Sequence, residues 1–274
     1  MTVAEALAQA RALGLERLDA QLLLARALQQ ARPWLIAHDD APLSAAQQQR
    51  FAADCRRCAE GEPLAYLLGE REFHGLRLQV SPAVLVPRPD TETLVDWALE
   101  LLAAMPAAAA AVADLGTGSG AIALALKHAH PHARVCAVEL SAPALAVARA
   151  NAERHGLEVE WLAGSWWQPL RGRRFQLVLS NPPYVAAGDP HLQALQHEPL
   201  QALSPGGDGL SALREIVQGA AAHLADGGWL LLEHGHDQAQ AVCDMLRRGN
   251  FESIATRTDL AGRPRCSGGR RRQV

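Results

Sequence analysis

The first 70 residues have the hydrophobic spacing of short helices. Leucines recur at helical intervals among alanine, glutamine and arginine, which is typical of helices that bury one face. Pro33, Pro42 and Pro63 interrupt this pattern and predict helix boundaries. Leucine and valine then alternate with polar residues over 76–80, which favours a small hairpin. We therefore predict an N-terminal helical domain over 1–70, followed by a hairpin and linker over 71–90.

Beyond the linker, apolar runs that predict buried strands alternate with helical patterns. A helix is expected over 94–103. The predicted strands are Ala111–Leu115, Arg134–Glu139, 159–162, Phe175–Ser180, 228–233 and a weak one at 265–269, with helices at 121–128 and Ala142–His155. Such alternation predicts right-handed βαβ units and a parallel sheet, in an α/β domain over 91–274. The alanine-rich tract 107–111 is typical of coil or of a helix end that leads into a strand.

Composition narrows the choice of function class. The 274 residues are 49% hydrophobic and 20% charged, with a net charge of -3. An acidic balance disfavours a dedicated nucleic-acid-binding module. Five scattered cysteines fit a reducing compartment better than a disulfide framework. With no signal peptide and no run long enough for a membrane span, we expect a cytoplasmic protein.

A glycine-rich segment follows the first predicted strand of the sheet. It consists of Asp114, Leu115, Gly116, Thr117, Gly118, Ser119 and Gly120. Its spacing departs from the dinucleotide pattern G-x-G-x-x-G and from the P-loop, which favours a cofactor without phosphates. Asp114 is expected to orient the ammonium group of an amino acid through water. Glu139 ends the next predicted strand, where a carboxylate accepts both ribose hydroxyls. Together they predict S-adenosylmethionine.

The segment Asn181-Pro182-Pro183-Tyr184 closes another predicted strand. Two prolines cannot continue a strand, so the chain leaves the sheet at its carboxyl edge, where α/β sheets bind ligands. The Asn181 side-chain oxygen and the Pro182 carbonyl can each accept one N–H of a planar amine or amide. These bonds would aim the nitrogen lone pair at a methyl donor, and Tyr184 could pack on the substrate's flat face.

At this point the sequence resembles a known family. The glycine-rich segment with Asn-Pro-Pro-Tyr is similar to the amino-methyltransferases of the class I fold. The segments 62–69, 71–73, 81–82, 86–92, 198–200 and 230–235 resemble the peptide chain release factor glutamine methyltransferases, the HemK/PrmC family. This resemblance extends over essentially the whole chain. This chain departs from the family pattern at two positions. Glu139 stands where many members have Asp, and Ser165, directly before Trp166, also stands where the family often has Asp.

The resemblance implies a Rossmann-like, seven-stranded methyltransferase sheet and an N-terminal domain that docks the release factor. It implies methyl transfer to the glutamine of the factor's Gly-Gly-Gln loop, a modification for translation termination. The implied cofactor contacts are Gly116, Thr117, Gly118, Ser119, Gly120, Glu139, Trp166 and Asn181. The implied substrate contacts are Asn181, Pro182, Pro183 and Tyr184, with catalysis by Asn181, Pro182 and Tyr184.

Other functions stay open on the residues themselves. Alternatives are a ribosomal-protein glutamine methyltransferase, a nucleic-acid adenine N6-methyltransferase and a non-catalytic cofactor-binding scaffold. We expect Cys55 and Cys58 to be ordinary thiols that bind no metal. We expect the histidines between 128 and 132 to be solvated side chains of a loop. We expect no metal site, no direct nucleic-acid or membrane binding, and a monomer.

Overall fold

The structure is a computed structural model, and it describes residues 1–105 and 110–272. Its contacts divide the chain into two compact units, Met1–Arg71 and Glu72–Val274. None of the described helices has an apolar stretch long enough to cross a membrane. The alanine tract expected at 107–111 lies mostly outside the described residues, which resume at Ala110.

The N-terminal unit is helical, as its leucine spacing predicts. Its helices are α1 (Val3–Ala12), α2 (Arg17–Leu28), α3 (Arg32–Ala37), α4 (Ala45–Ala59) and α5 (Leu64–Leu68). Thr2 and Ser44 each close a capping box at the start of a helix, with Glu5 and Gln47 as the third residues. Leucines and Phe51 form a buried core within this unit.

The second unit begins within the first strand of the predicted hairpin and continues as an α/β sheet. Its helices are α6 (Glu92–Ala103), α7 (Ala121–Ala129), α8 (Ala142–His155), α9 (His191–Ala194), α10 (Leu200–Leu203), α11 (Ser211–His223) and α12 (Ala239–Arg248). Its strands are β1 (Glu70–Phe73) and β2 (Leu76–Gln79) of the hairpin, then β3 (Ala111–Leu115), β4 (Arg134–Glu139), β5 (Glu160–Ala163), β6 (Phe175–Ser180), β7 (Leu224–Glu233), β8 (Phe251–Thr258) and β9 (Pro264–Arg271).

The sheet has seven strands in the order β5-β4-β3-β6-β7-β9-β8. The first five are parallel, as the alternation predicts, but β9 pairs antiparallel with both β7 and β8. The parallel sheet expected from the sequence therefore extends over five strands, and the edge formed by β9 and β8 is antiparallel. A short turn joins β8 to β9, and such a connection permits only antiparallel neighbours. Strand order reverses between β3 and β6, which places a ligand crevice at their carboxyl ends.

The weak strand predicted at 265–269 is a full strand in the interior of the sheet. β9 lies between β7 and β8, so its backbone is hydrogen-bonded on both sides despite poor β propensity. A Cβ atom at Gly268 would collide with the Leu231 side chain and come within 3.0 Å of Trp97. Small residues are needed here because neighbouring side chains close over the strand.

Candidate active site

The glycine-rich segment forms a tight turn between β3 and α7. Gly116, Gly118 and Gly120 have φ angles of 75°, 56° and 86°, which residues with a side chain rarely adopt. The N–H groups of Gly116 and Thr117 donate to the carbonyl oxygen of Val138 in β4, at 2.9 and 3.0 Å. The turn is thereby held across the ends of two neighbouring strands.

Glu139 ends β4 beside this turn. Its Oε2 accepts a hydrogen bond from the Gly118 N–H and its Oε1 accepts one from the Ser141 N–H, both at 2.8 Å. Each carboxylate oxygen has a second lone pair. Glu139 lines the cavity at this edge of the sheet and can therefore accept further bonds from a bound diol.

Asp114 lies beneath the turn, and it is not among the described residues that line the cavity. Its carboxyl group is completely buried and accepts a bond from the Thr117 hydroxyl at 2.5 Å. Burial raises the pKa of Asp114 to about 7. The structure thus places Asp114 as a brace of the turn, whereas the sequence suggested an ammonium contact through water.

Trp166 covers the glycine turn from the segment after β5. A Cβ atom at Gly116 would come within 3.1 Å of its ring, so a side chain at position 116 would crowd it. Trp166 itself has a φ of 40°, an uncommon conformation for a bulky residue that costs backbone strain. Both Ser165 and Trp166 line the cavity. An aromatic ring at the cavity is a surface on which a planar ligand group can stack.

The cavity continues past the ends of β3 and β6 to the linker before α6. Arg88 is the one cationic side chain among its described lining residues. Its guanidinium group pairs with the buried Glu198, whose Oε2 also accepts the Val86 N–H at 3.0 Å. Asp90, two residues further on, pairs with Arg265 at 3.0 Å. The described lining of the cavity therefore lacks the unpaired cations that a phosphate-rich ligand needs.

Asn181 follows β6 and faces this cavity. Its Nδ2 donates to the Thr91 hydroxyl oxygen at 3.2 Å. Among the described residues, none donates a hydrogen bond to Asn181 Oδ1 or to the Pro182 carbonyl oxygen. Two acceptors close together in the chain therefore have no donor among the described residues at the carboxyl end of β6.

The other members of the motif have different surroundings. Pro183 lines the cavity, whereas Pro182 is buried and Tyr184 is not among the described lining residues. The Tyr184 hydroxyl donates to Glu233 Oε1 at 3.2 Å, and its ring packs against the apolar core below the sheet edge. The structure brings Asn181 and Pro183 to the cavity and gives Tyr184 a supporting position.

The backbone of this loop is fastened from two sides. The N–H groups of Tyr184 and Val185 donate to the Leu203 carbonyl oxygen at 3.1 and 2.9 Å. The Gln238 side chain donates to the Tyr184 carbonyl oxygen at 2.9 Å. Gly209 packs so closely that a Cβ atom there would collide with that same carbonyl group. The position of Asn181 thus depends on segments far away in the chain.

Sequence reasoning assigned no role to Thr91, Glu233, Gln238 or Gly209. Thr91 and Glu233 lie within segments that carry the family resemblance, which was the available signal. No sequence signal pointed to Gln238 or Gly209, because their contacts with the loop after β6 form only in the folded protein.

Comparisons with known proteins agree with this architecture. A family model described as "Methyltransferase small domain" matches residues 91–210, and one described as "PrmC N-terminal domain" matches residues 2–69. A solved T. thermophilus 16S rRNA N2 G1207 methyltransferase in complex with AdoMet and guanosine has a similar fold, with a TM-score of 0.54 at 19% identity. That likeness covers 74% of this chain and 50% of the other. The fold and the site define a Rossmann-like methyltransferase of class I.

Relatives of similar sequence show to which family of class I methyltransferases the chain belongs. A release factor glutamine methyltransferase of Xylella fastidiosa strain Temecula1 is 49% identical over 93% of this chain and 94% of its own length. The protein of the same description from Coxiella burnetii is 44% identical over 93% and 92%. The chain belongs to the release factor glutamine methyltransferase family, which confirms the resemblance found in its motifs.

Proposed function

We propose that this protein transfers a methyl group from S-adenosylmethionine to the side-chain amide nitrogen of the glutamine in the Gly-Gly-Gln loop of class I release factors. The observation that carries the proposal is that Asn181 lines the cavity and that neither its Oδ1 nor the neighbouring Pro182 carbonyl oxygen accepts a hydrogen bond from a described residue. A primary amide has two N–H groups, and these acceptors match them in number and kind.

The residues present fit S-adenosylmethionine. Gly118 leaves space for a ligand beside the turn, Glu139 has lone pairs for the ribose hydroxyls, and Trp166 offers a ring for adenine. The lining lacks an unpaired cation for phosphates in its described part. When bound, this cofactor supplies an electrophilic methyl group on a sulfonium centre.

The chain's own contribution is orientation. An amide nitrogen is a poor nucleophile because its lone pair is delocalised into the carbonyl group. Hydrogen bonds to Asn181 Oδ1 and the Pro182 oxygen hold both N–H groups in place, so the lone pair points along a fixed direction. As the nitrogen gains a bond to the methyl carbon it becomes more positive and both hydrogen bonds strengthen; loss of one of its two protons to solvent then gives the neutral N-methyl amide. Positioning of this kind lowers a barrier by up to about 7–11 kcal/mol.

We expect Glu139→Gln to weaken the binding of S-adenosylmethionine by about 10- to 30-fold, since the amide replaces an acceptor oxygen by a donor. Isothermal titration of the purified protein measures this change. Glu158→Gln removes the same charge at an exposed position outside the cavity lining and is expected to bind like the parent. Equal affinity in the two variants would remove Glu139 from the cofactor site.

The reaction itself is tested with S-adenosylmethionine labelled in its methyl group and a purified class I release factor. We expect label in the factor and a single added methyl on its Gly-Gly-Gln peptide by mass spectrometry. A factor with alanine in place of that glutamine should remain unlabelled. Label in a ribosomal protein or in an RNA or DNA adenine, but not in the factor, would replace the proposal with one of those alternatives.

The N-terminal unit is proposed to dock the release factor. In support, it has its own apolar core, and Leu13, Leu18 and Ile36 are large hydrophobic side chains that stay exposed on it. We further propose that the protein acts as a monomer in the cytoplasm, where its proposed substrate works, without contacting nucleic acid or membranes.

A further inference from the structure

Arg88 and Glu198 form an ion pair that joins two segments of the cavity wall. The pair links the linker before α6 to the start of α10, and residues of both segments line the cavity. The Arg88 side chain is 38% exposed, whereas that of Glu198 is 2% exposed. A ligand in the cavity can therefore contact Arg88, while Glu198 lies behind it.

The carboxylate of Glu198 accepts hydrogen bonds from two directions. Its Oε2 accepts the Val86 N–H at 3.0 Å, and its Oε1 accepts a bond from Nη2 of Arg88. A buried carboxylate is costly without a cation, which keeps the Arg88 guanidinium group beside it. Within the described part of the chain, the Arg88 side chain donates to no acceptor other than Glu198. A guanidinium group has five N–H donors, so donors remain for a ligand.

The ion pair determines what those donors can bind. An unpaired guanidinium group attracts phosphate with a full positive charge. Beside the Glu198 carboxylate the two charges largely cancel, and the remaining N–H groups suit neutral acceptors such as peptide carbonyl oxygens. Glu139, the other charged residue of the described lining, is an acid. The charges around the cavity thus disfavour a phosphate group and tolerate a neutral peptide.

We propose that Glu198 is a positioning residue that determines specificity: it holds and neutralises Arg88, so that the cavity takes an uncharged peptide loop rather than a nucleotide. The proposal deepens the proposed function and rests on it for the identity of the peptide. The adenines of RNA or DNA, the alternative substrates, have a phosphate at every nucleotide. Specificity is a difference of affinities, and an unfavourable contact with the wrong substrate contributes to it.

The first test uses Glu198→Gln and needs neither cofactor nor release factor. Glutamine keeps an acceptor for the Val86 N–H, but it turns an N–H group toward Arg88 and removes the negative charge. We expect a fluorescein-labelled single-stranded DNA hexamer to bind this variant about 5- to 10-fold more tightly than the parent at low salt, measured by anisotropy. One added phosphate contact should also steepen the logarithmic salt dependence by about 0.7.

Two further variants separate the ion pair from a change in net charge. Glu215→Gln removes the same charge at an exposed position of α11 outside the described cavity lining, and it should bind the hexamer like the parent. Arg88→Gln combined with Glu198→Gln removes both charges and should abolish the gain. A gain that persists in the double variant, or an equal gain in Glu215→Gln, would overturn the inference.

The second test is steady-state methylation of the release factor. In Glu198→Gln the donors of Arg88 are no longer held at the cavity, so KM for the factor should rise about 5- to 10-fold while kcat changes less than about three-fold. The double variant lacks these donors and should show the same rise in KM. A purely structural role of the pair would instead lower kcat and weaken S-adenosylmethionine binding together.

Thermal unfolding and titration with S-adenosylmethionine establish that each variant is folded. If Glu198→Gln does not fold, the double variant carries the test, because its two amides can hydrogen-bond to each other; an unchanged KM there would overturn the inference. A folded Glu198→Gln that binds the hexamer like the parent would overturn this inference alone. A parent that fails to methylate the factor would overturn the proposed function, and hexamer binding would still test the ion pair.

Discussion

Replacing Asn181 by alanine is expected to reduce the turnover number for methyl transfer by about 100- to 1,000-fold. The substitution removes one of the two acceptors that we propose to orient the substrate nitrogen, and groups that act at the reacting atom typically contribute this much. It also removes the donor to Thr91, which then has an unpaired hydroxyl oxygen in a buried place. Steady-state kinetics with labelled cofactor and a release factor measure the loss.

The controls for Asn181→Ala are the stability of the variant and its binding of S-adenosylmethionine. Thermal unfolding should show a stability close to that of the parent, because Asn181 is only half-buried. Isothermal titration should still detect S-adenosylmethionine, since Glu139 and the glycine turn remain. A variant that keeps turnover within about five-fold of the parent, well below the effect of a group at the reacting atom, would show that Asn181 does not orient the nitrogen.

Gly209→Ala is expected to impair catalysis about 100-fold although Gly209 is not among the described residues that line the cavity. Its Cβ atom would collide with the Tyr184 carbonyl group and lie 3.0 Å from both the Ala186 nitrogen and the Gln238 side chain. Backbone atoms cannot turn aside as a flexible side chain can, so the loop that carries Asn181 must shift. A displacement near 1 Å in a positioned group can cost about 100-fold in rate.

The matched control is Gly206→Ala. Gly206 has a φ of 80°, nearly the 77° of Gly209, but a Cβ atom there would meet nothing within 4 Å. Both variants pay for the left-handed backbone, roughly 1 kcal/mol, and only Gly209→Ala adds the collision. Unfolding curves together with kcat separate the two effects. Equal activity in both variants would mean that the loop after β6 tolerates movement.

The sequence predicted the secondary-structure elements that have a strong local hydrophobic pattern. The strands Ala111–Leu115, Arg134–Glu139 and Phe175–Ser180 have the predicted bounds, because buried parallel strands are continuous apolar runs. β8 was not predicted, since most of its residues are polar or exposed and its signal is correspondingly weak. β9 was expected only as a weak strand, because two neighbouring strands stabilise it more than its own residues do.

At the site, the motifs identified the right region but not every contact. Glu139, Asn181 and Trp166 lie at one cavity, as their positions after strands implied. Asp114 was expected near the ligand, but it does not belong to the described cavity lining, and its buried carboxyl group accepts a hydrogen bond from the Thr117 hydroxyl. Tyr184 was expected on the substrate and bonds Glu233, a residue 49 positions away in the chain.

The local sequence thus determines the strand-turn-helix unit at the glycine turn, the position of Glu139 at the end of β4 and the position of Asn181 after β6. These features depend on hydrophobic period, glycine conformation and proline geometry, all of which act over a few residues. The orientation of the Asn181 amide, the fastening of its loop by Leu203, Gly209 and Gln238, and the raised pKa of Glu233 depend on contacts between distant segments. Burial and hydrogen-bond direction exist only once those segments pack together, and so they are properties of the folded protein.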